Sequence, residues 1–301
     1  MHVPLVSPWL NTLEKRKGGG SGGHGGGGKG GGGGKGGSSS GKGSGSISSR
    51  RGSSSIPIKS GSSSTSRSAS TSSKGTPKIQ TIPSGEPFAG RTIGGGTRSD
   101  IYGTRQYGSG YPGQTFSSVS GRGFPFGFWP LSFGGVGGLV IIHEINSSHE
   151  YGQPNNSSRP GGVLVAAPFQ PSDGSSTYRI VSDNATVNSL IPILIASCSP
   201  SSKNITPTAF NSTPTPQEII QYYRSSSIAL SLDGYNDTAV FSNDTNAVDT
   251  PLPTINNKTF LQCMNKTIGD NALLIDGAQS LQLSGLLMSF LVLVHFVRWV
   301  V

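Results

Sequence analysis

Between Trp9 and Phe88 the chain has no aromatic residue, and residues 1–123 hold three acidic side chains against sixteen Lys and Arg, a net of +13. A stretch without rings cannot build a core, and it has nothing on which to stack bases as single-strand nucleic-acid binders do. Charged residues are 12% of the whole and the apolar fraction is 32%, below the usual globular share, so only part of the 301 residues can fold around a core. Residues 124–301 balance seven cations against eleven acids, a net of −4, so the basic pI near 9.7 belongs to the head of the chain. Cysteine occurs twice, at Cys198 and Cys263.

Catalytic patterns are missing or empty. Polyglycine at Gly18–Gly37 matches GxSxG and GxGxxG without the strand and helix those patterns need. Gly36 to Lys42 matches the start of a phosphate loop, but Gly43 stands where Ser or Thr is required. His143-Glu144 and His149-Glu150 miss the i, i+4 placement of a zinc helix, and a polar junction accounts for them better. Asp233, Asp237, Asp244 and Asp249 do not follow a calcium-loop order. No enzyme activity, cofactor or metal is expected.

What the chain does have is Asn-X-Ser/Thr. Ten acceptor sequons occur, at Asn146, Asn155, Asn156, Asn184, Asn204, Asn211, Asn236, Asn243, Asn257 and Asn265. Fourteen Asn lie after residue 145, and their surroundings would give about three sequons by chance, so ten is an excess. Asn155 and Asn156 overlap, and Pro207 follows the Asn204 sequon closely. An even cysteine count inside the same block fits one Cys198–Cys263 disulfide in an oxidising compartment, against a pair of buried thiols.

The last sixteen residues, Leu286–Val301, are LLMSFLVLVHFVRWVV, preceded by the small and polar Asp276, Gly277 and Ala278 and a short spacer. Small residues, spacer and apolar tail are the layout of a glycosylphosphatidylinositol attachment signal, with Asp276, Gly277 or Ala278 as the lipid attachment residue. Leu281–Val301 is also long enough, at roughly 1.5 Å per residue, to stay as a transmembrane helix. His295 and Arg298 interrupt the tail in either reading. A second apolar run, 124–142, is uncharged for nineteen residues and is a candidate membrane span, against the reading of an aromatic segment that lies along the next domain or self-associates.

Near the start, Lys15-Arg16 is a dibasic processing site or a chance pair in a basic tail. Met1–Leu13 lacks the basic and apolar regions of a signal peptide, so an upstream signal exon is expected. The expected organisation is a pro-segment remnant at 1–16, a disordered Gly/Ser/Lys low-complexity head at 17–87, and a Gly/aromatic segment at 88–145. A glycosylated α+β domain at 146–275 and a membrane tail at 276–301 complete it. Within the domain, strands are predicted at 177–181 and 228–232, helices at 187–197, 216–224 and 258–267, and a final strand at 272–275.

Several segments are shared with other chains. Ile82-Pro83-Ser84-Gly85, Phe88-Ala89-Gly90-Arg91-Thr92 and Gly94–Arg98 belong to this set, as do Tyr107–Pro112, Gly123–Phe126 and Phe128-Trp129-Pro130. With TYRIVSDNATV and LSLDGYND they resemble a group of basidiomycete fungal secretory or membrane glycoproteins, over about two-thirds of the chain. The resemblance implies a Gly/Ser-rich head and a C-terminal apolar tail, and it carries no activity or site residues. The expected role is a non-enzymatic cell-surface glycoprotein, wall-associated or adhesive. Its partners would be the membrane and an anionic wall polymer or lipid. The rival readings are nucleic-acid binding by the basic head and a ligand-binding ectodomain.

Overall fold

The computed structural model describes residues 53–60, 63–71, 78–112, 119–133, 151–241, 247–255 and 257–275. At its centre is a five-stranded antiparallel sheet built from β5 (Leu164–Phe169), β6 (Tyr178–Asp183), β7 (Thr208–Ala209), β8 (Ile219–Tyr223) and β9 (Ile228–Leu232). Their order across the sheet is β7-β5-β6-β9-β8. Pairings such as Ala167↔Ile180 and Ile180↔Leu230 fix the register. A bulge at Ile220 shifts β8 by one residue against β9, so Ile220 and Tyr223 face one side while Ile219 and Tyr222 face the other.

Both faces of this sheet are covered, which is why its strands are apolar in both phases of the pleat. On one face lie α1 (Asn184–Cys198) and α2 (Lys258–Asn271). Val187, Leu190, Leu194, Phe260, Met264 and Ile268 from the two helices pack over Val165, Ala167, Tyr178, Ile180 and Leu230. Each helix begins at a side-chain cap: Asp183 accepts from the Thr186 N–H, and Asn257 accepts from the Phe260 N–H. Pro192, inside α1, is exposed. The Cys198–Cys263 disulfide joins the end of α1 to the middle of α2, with Cα atoms 5.6 Å apart.

The opposite face is covered without regular structure. Tyr107, Tyr111, Val119, Phe124, Leu131, Phe133 and Tyr151 form a second core with Leu164, Ala166, Val181, Ile219, Tyr222 and Ala229. Ring contacts knit this layer together, among them Phe88 edge-on to Trp129 at 4.9 Å and Tyr107 edge-on to Tyr222 at 5.6 Å. Its backbone also closes the β8 edge. Gly103 N–H donates to Tyr222 O and Tyr222 N–H donates to Thr104 O. Gly103 has no room for a side chain, since a Cβ there would sit 2.5 Å from Ser109 Oγ.

Other features bear on the sequence reading. The domain does not begin at residue 146, because the 101–133 segment supplies the second core. Of the two readings of 124–142, the aromatic segment lying along the next domain describes residues 124–133, which form no helix and pack on the sheet, with Phe124, Phe126, Phe128, Leu131 and Phe133 buried; 134–142 lie outside the described residues. No helix of the described residues is long and apolar enough to cross a membrane. The helix predicted at 216–224 is a single 3-10 turn, Pro216–Glu218, that runs into β8. The Thr215–Glu218 capping box is present, but Ile219-Ile220-Gln221-Tyr222-Tyr223 is β-branched and aromatic and buried on both faces, so the sheet takes it.

Two short parts of the 17–87 head lie among the described strands. β1 (Ser53–Ser60) and β2 (Ser63–Ser70) form an antiparallel hairpin, and β2 pairs with the short final strand β10 (Leu274–Ile275). β3 (Gln80–Thr81) and β4 (Thr92–Ile93) form a two-residue pair. Strand 164–169 was not foreseen from the sequence, while the strands at 178–183 and 228–232 and helices α1 and α2 stand where they were predicted. The C-terminal half is a small α+β unit with one disulfide, joined by a layer from the preceding segment.

Candidate functional site

Strands β8 and β9 are joined by Arg224-Ser225-Ser226-Ser227, and this turn is the most unusual backbone in the described residues. Arg224, Ser225 and Ser226 have φ of 50°, 51° and 60°, three successive non-glycine residues in the left-handed region. Each such residue costs about 1–2 kcal/mol, so the turn holds a few kcal/mol of strain that its surroundings must offset. All four residues are buried, at 3% exposure or less.

The anchors come from three sides. Arg224 N–H donates to Ile101 O, Gly108 N–H donates to Ser226 Oγ at 2.8 Å, Leu131 N–H donates to Ser226 O, and Ser225 Oγ donates to Gly110 O at 3.2 Å. The turn is therefore gripped by two stretches of the aromatic layer, Ile101–Gly110 and Leu131. From the sheet side, Ser182 Oγ donates to Ser227 O. Within the turn, the Arg224 carbonyl accepts from Ser227 N–H at 3.2 Å and from Ser227 Oγ at 2.8 Å.

The Arg224 guanidinium turns inward. It donates to Asp183 Oδ2 at 2.6 Å, to Thr186 Oγ1, Leu273 O, Ser227 Oγ and, at 3.4 Å, Ser182 Oγ, and its Cζ lies 3.5 Å from the centre of the Phe128 ring. Asp183 is the same residue that caps α1, so one carboxylate ties the helix start to the strained turn. Burial pulls the Arg224 pKa down and the Asp183 carboxylate opposes it. Gly161 lies against this carboxylate; a Cβ there would be 2.0 Å from Asp183 Oδ1.

A second buried cation, Arg159, is held differently. Its guanidinium donates to the carbonyls of Tyr151, Trp129 and Pro130, and burial draws its pKa to about 10 despite the favourable field of Tyr107 and Asp183. These three backbone carbonyls and the Trp129 ring, whose centre lies 5.7 Å from Arg159 Cζ, hold this side chain, and it fastens residues 129–130 to 151 and 159. Both arginines act as internal struts for the irregular layer, where a guanidinium donating to several separate acceptors replaces a hydrogen-bonded ladder.

The predicted modification residues are distributed around this framework. Asn155, Asn184, Asn204, Asn211 and Asn236 are exposed, Asn156 and Asn257 are half-buried, and Asn265 is 7% exposed. Asn156 uses its side-chain oxygen to accept from Ser158 N–H, Asn257 caps α2, and Asn265 accepts from Tyr223 Oη at 2.7 Å. Asn204 and Asn211 flank β7, the short exposed edge of the sheet. Cys198 and Cys263 are joined, as expected. Asn146, Asn243, Lys15, Arg16, Asp276, Gly277, Ala278 and the tail Leu286–Val301 lie outside the described residues.

Sequence reasoning missed the Asp183–Arg224 pair and the turn. The available signal was spacing: IIQYY and IALSL are two strand-like runs separated by four residues, a hairpin length. Glycine, the usual marker of left-handed backbone, is missing from those four, and the pattern was read as the end of a helix. No group of three or more His, Cys, Asp or Glu among the described residues is placed to hold a metal. Comparison with family models, with curated proteins and with solved structures gives no match.

Proposed function

We propose that this chain is a non-enzymatic, membrane-anchored cell-surface glycoprotein with a wall-associated or adhesive role. The observation that carries the reading is the placement of its sequons on a disulfide-closed domain. Of the eight sequon asparagines among the described residues, five are exposed, and they occupy loops and element ends, where an attached sugar meets no core atom. The disulfide supports an oxidising compartment. The apolar run at Leu286–Val301 supplies the membrane anchor, as a lipid signal or a retained helix, and the basic head faces an anionic wall polymer or lipid.

The test is expression in a glycosylating eukaryotic host with an N-terminal tag. The expected result is a mobility shift on endoglycosidase treatment, surface labelling, and membrane association; phospholipase C release would identify the lipid form of the anchor. A soluble, unshifted protein in the cytosol would sink the reading and favour nucleic-acid binding by the basic head. Asn265 is excluded from the glycan-bearing set, because its side chain is packed beneath Tyr223.

A further inference from the structure

We propose that the peptide bond between Arg224 and Ser225 is a self-cleavage site, cut by the Ser225 hydroxyl through an N-to-O acyl shift followed by hydrolysis. Three features of the turn converge on this one bond.

The first is stored strain at the bond itself. Arg224 and Ser225, the residues on either side, are both left-handed without being glycine, and Ser226 continues the run. The buried anchors prevent relaxation: the Arg224 guanidinium is locked to Asp183, Thr186 and Leu273, and Ser226 is held by Gly108 and Leu131. Breaking the bond releases both residues from an unfavourable backbone, so the fold favours the cut product over the intact turn.

The second is polarisation. The Arg224 carbonyl oxygen receives two donors, Ser227 N–H at 3.2 Å and Ser227 Oγ at 2.8 Å. Those donors sit where negative charge develops when a nucleophile adds to the carbonyl carbon, in a site shielded from water. The third is the nucleophile. Among the three serines, Ser226 Oγ accepts from Gly108 N–H and Ser227 Oγ is engaged with Arg224 Nε and Arg224 O. Ser225 Oγ has a long hydrogen bond of 3.2 Å to Gly110 O, and it is the hydroxyl attached to the residue whose nitrogen must leave.

The chemistry balances without a cofactor. Ser225 Oγ bonds to the Arg224 carbonyl carbon, the carbon–nitrogen bond breaks, and the hydroxyl proton ends on the released Ser225 amine. The result is an ester between Arg224 and the Ser225 side chain. The ester frees the turn from its buried backbone path, one water admitted by that opening adds to the ester carbon, and the carbon–Oγ bond breaks, leaving the Arg224 carboxylate and a free Ser225 with its hydroxyl restored. The proton passes from Ser225 Oγ to the Ser225 nitrogen, and the strain of the turn stands in for the general base that activates other serine nucleophiles.

The two products stay together. Cys198 belongs to residues 1–224 and Cys263 to residues 225–301, so the disulfide spans the cut. β9 remains paired with both β6 and β8, which also spans it. The cut chain is a covalently stapled heterodimer with the same sheet.

The full chain is made by cell-free translation without added protease, oxidised, purified, and run with and without reductant. The expected result is one species when unreduced, heavier than the translated chain by one water, that separates on reduction into 1–224 and 225–301 with Ser225 at the new N-terminus. Ser225→Ala is expected to abolish both fragments. Should that variant fail to fold, Ser225→Cys supplies the second measurement: it forms a thioester in place of the ester, and hydroxylamine should then cleave the folded chain at residue 224. A folded, disulfide-bonded wild-type chain that stays in one piece after reduction overturns the proposal. So does cleavage that persists in Ser225→Ala, or a folded Ser225→Cys protein that hydroxylamine leaves intact.

Discussion

Replacing Asp183 by Asn isolates the electrostatic part of the buried Arg224 network. Asn is as good a helix cap as Asp, so the bond from Thr186 N–H survives and α1 keeps its start. The change falls on Oδ2, which accepts from Arg224 at 2.6 Å and from Ser182 Oγ at 3.2 Å. Both partners are withdrawn from water, with side-chain exposures of 0% for Arg224 and 5% for Asp183, so solvent screening gives little relief. Breaking a buried pair while leaving one charge behind typically costs about 3–5 kcal/mol. Here Ser227, Thr186, Leu273 and the Phe128 ring continue to hold the guanidinium, which places the expected loss near the lower end, about 3 kcal/mol. That is a large share of the roughly 5–15 kcal/mol by which a domain is stable. Equilibrium urea unfolding of Asp183→Asn reads it directly as a lower midpoint at unchanged slope. Asp183→Ala should lose about 1 kcal/mol more, because the cap goes too. The double variant Asp183→Asn with Arg224→Met should recover most of the loss, since neither member of the pair is left as an unpaired charge. A shift of less than about 1 kcal/mol for Asp183→Asn would mean the pair behaves as an exposed one and would refute the reasoning.

Cys198→Ser removes a cross-link between residues 65 apart in sequence, which the chain-entropy model values at about 4 kcal/mol; a midpoint unchanged from that of the oxidised protein would contradict it. Gly269→Ala puts a better helix former into α2, yet it should destabilise by about 1–3 kcal/mol, because the new Cβ would lie 2.1 Å from the Tyr102 ring; thermal melts showing a gain would overturn that packing. Burial raises the pKa of Tyr222 and Tyr223 well above 10, so their contribution to stability is complete below pH 10 and is lost as pH rises towards the folded values. Arg159, drawn to about 10, acts with the opposite sign over the same range, because its burial penalty is relieved as it loses its proton. Phenolate absorbance should therefore show these rings ionising only in a cooperative alkaline unfolding, and Tyr222→Phe should move that transition to higher pH; smooth titration of all eight tyrosines in the folded protein would count against it.

The regular elements were legible where local pattern and tertiary environment agree. TYRIVSD has strand composition and is a central strand; α1 and α2 carry helix-like apolar density and begin at Asp183 and Asn257. The misreading at Pro216–Tyr223 shows where local signals stop. A capping box and a first-turn proline start a helix, but they do not extend one when the following five residues are buried on both sides. The aromatic layer was hidden for a different reason. Its rings are spaced by glycine and proline with no period of two or of 3.6, so its apolar content was legible and its destination on the sheet was not. Asp183 and Arg224 are 41 residues apart, and nothing local marks two charges that meet only because β6, β9 and β8 are neighbours.

That layer also sets an order of assembly. Residues 101–133 leave the ribosome before the strands they cover, and the β8 edge that Gly103 and Thr104 close is made about a hundred residues later. Part of the surface their tyrosines and phenylalanines settle on, Ile219, Tyr222 and Ala229, is missing until Ile219–Leu232 has emerged and formed its hairpin. Synthesis therefore passes through an interval in which a sticky, ring-rich ribbon is complete and its docking face is not. Contacts of such long sequence separation fold slowly. The Gly- and Ser-rich stretch ahead of the ribbon is positively charged, and like charges on neighbouring nascent chains repel during that wait.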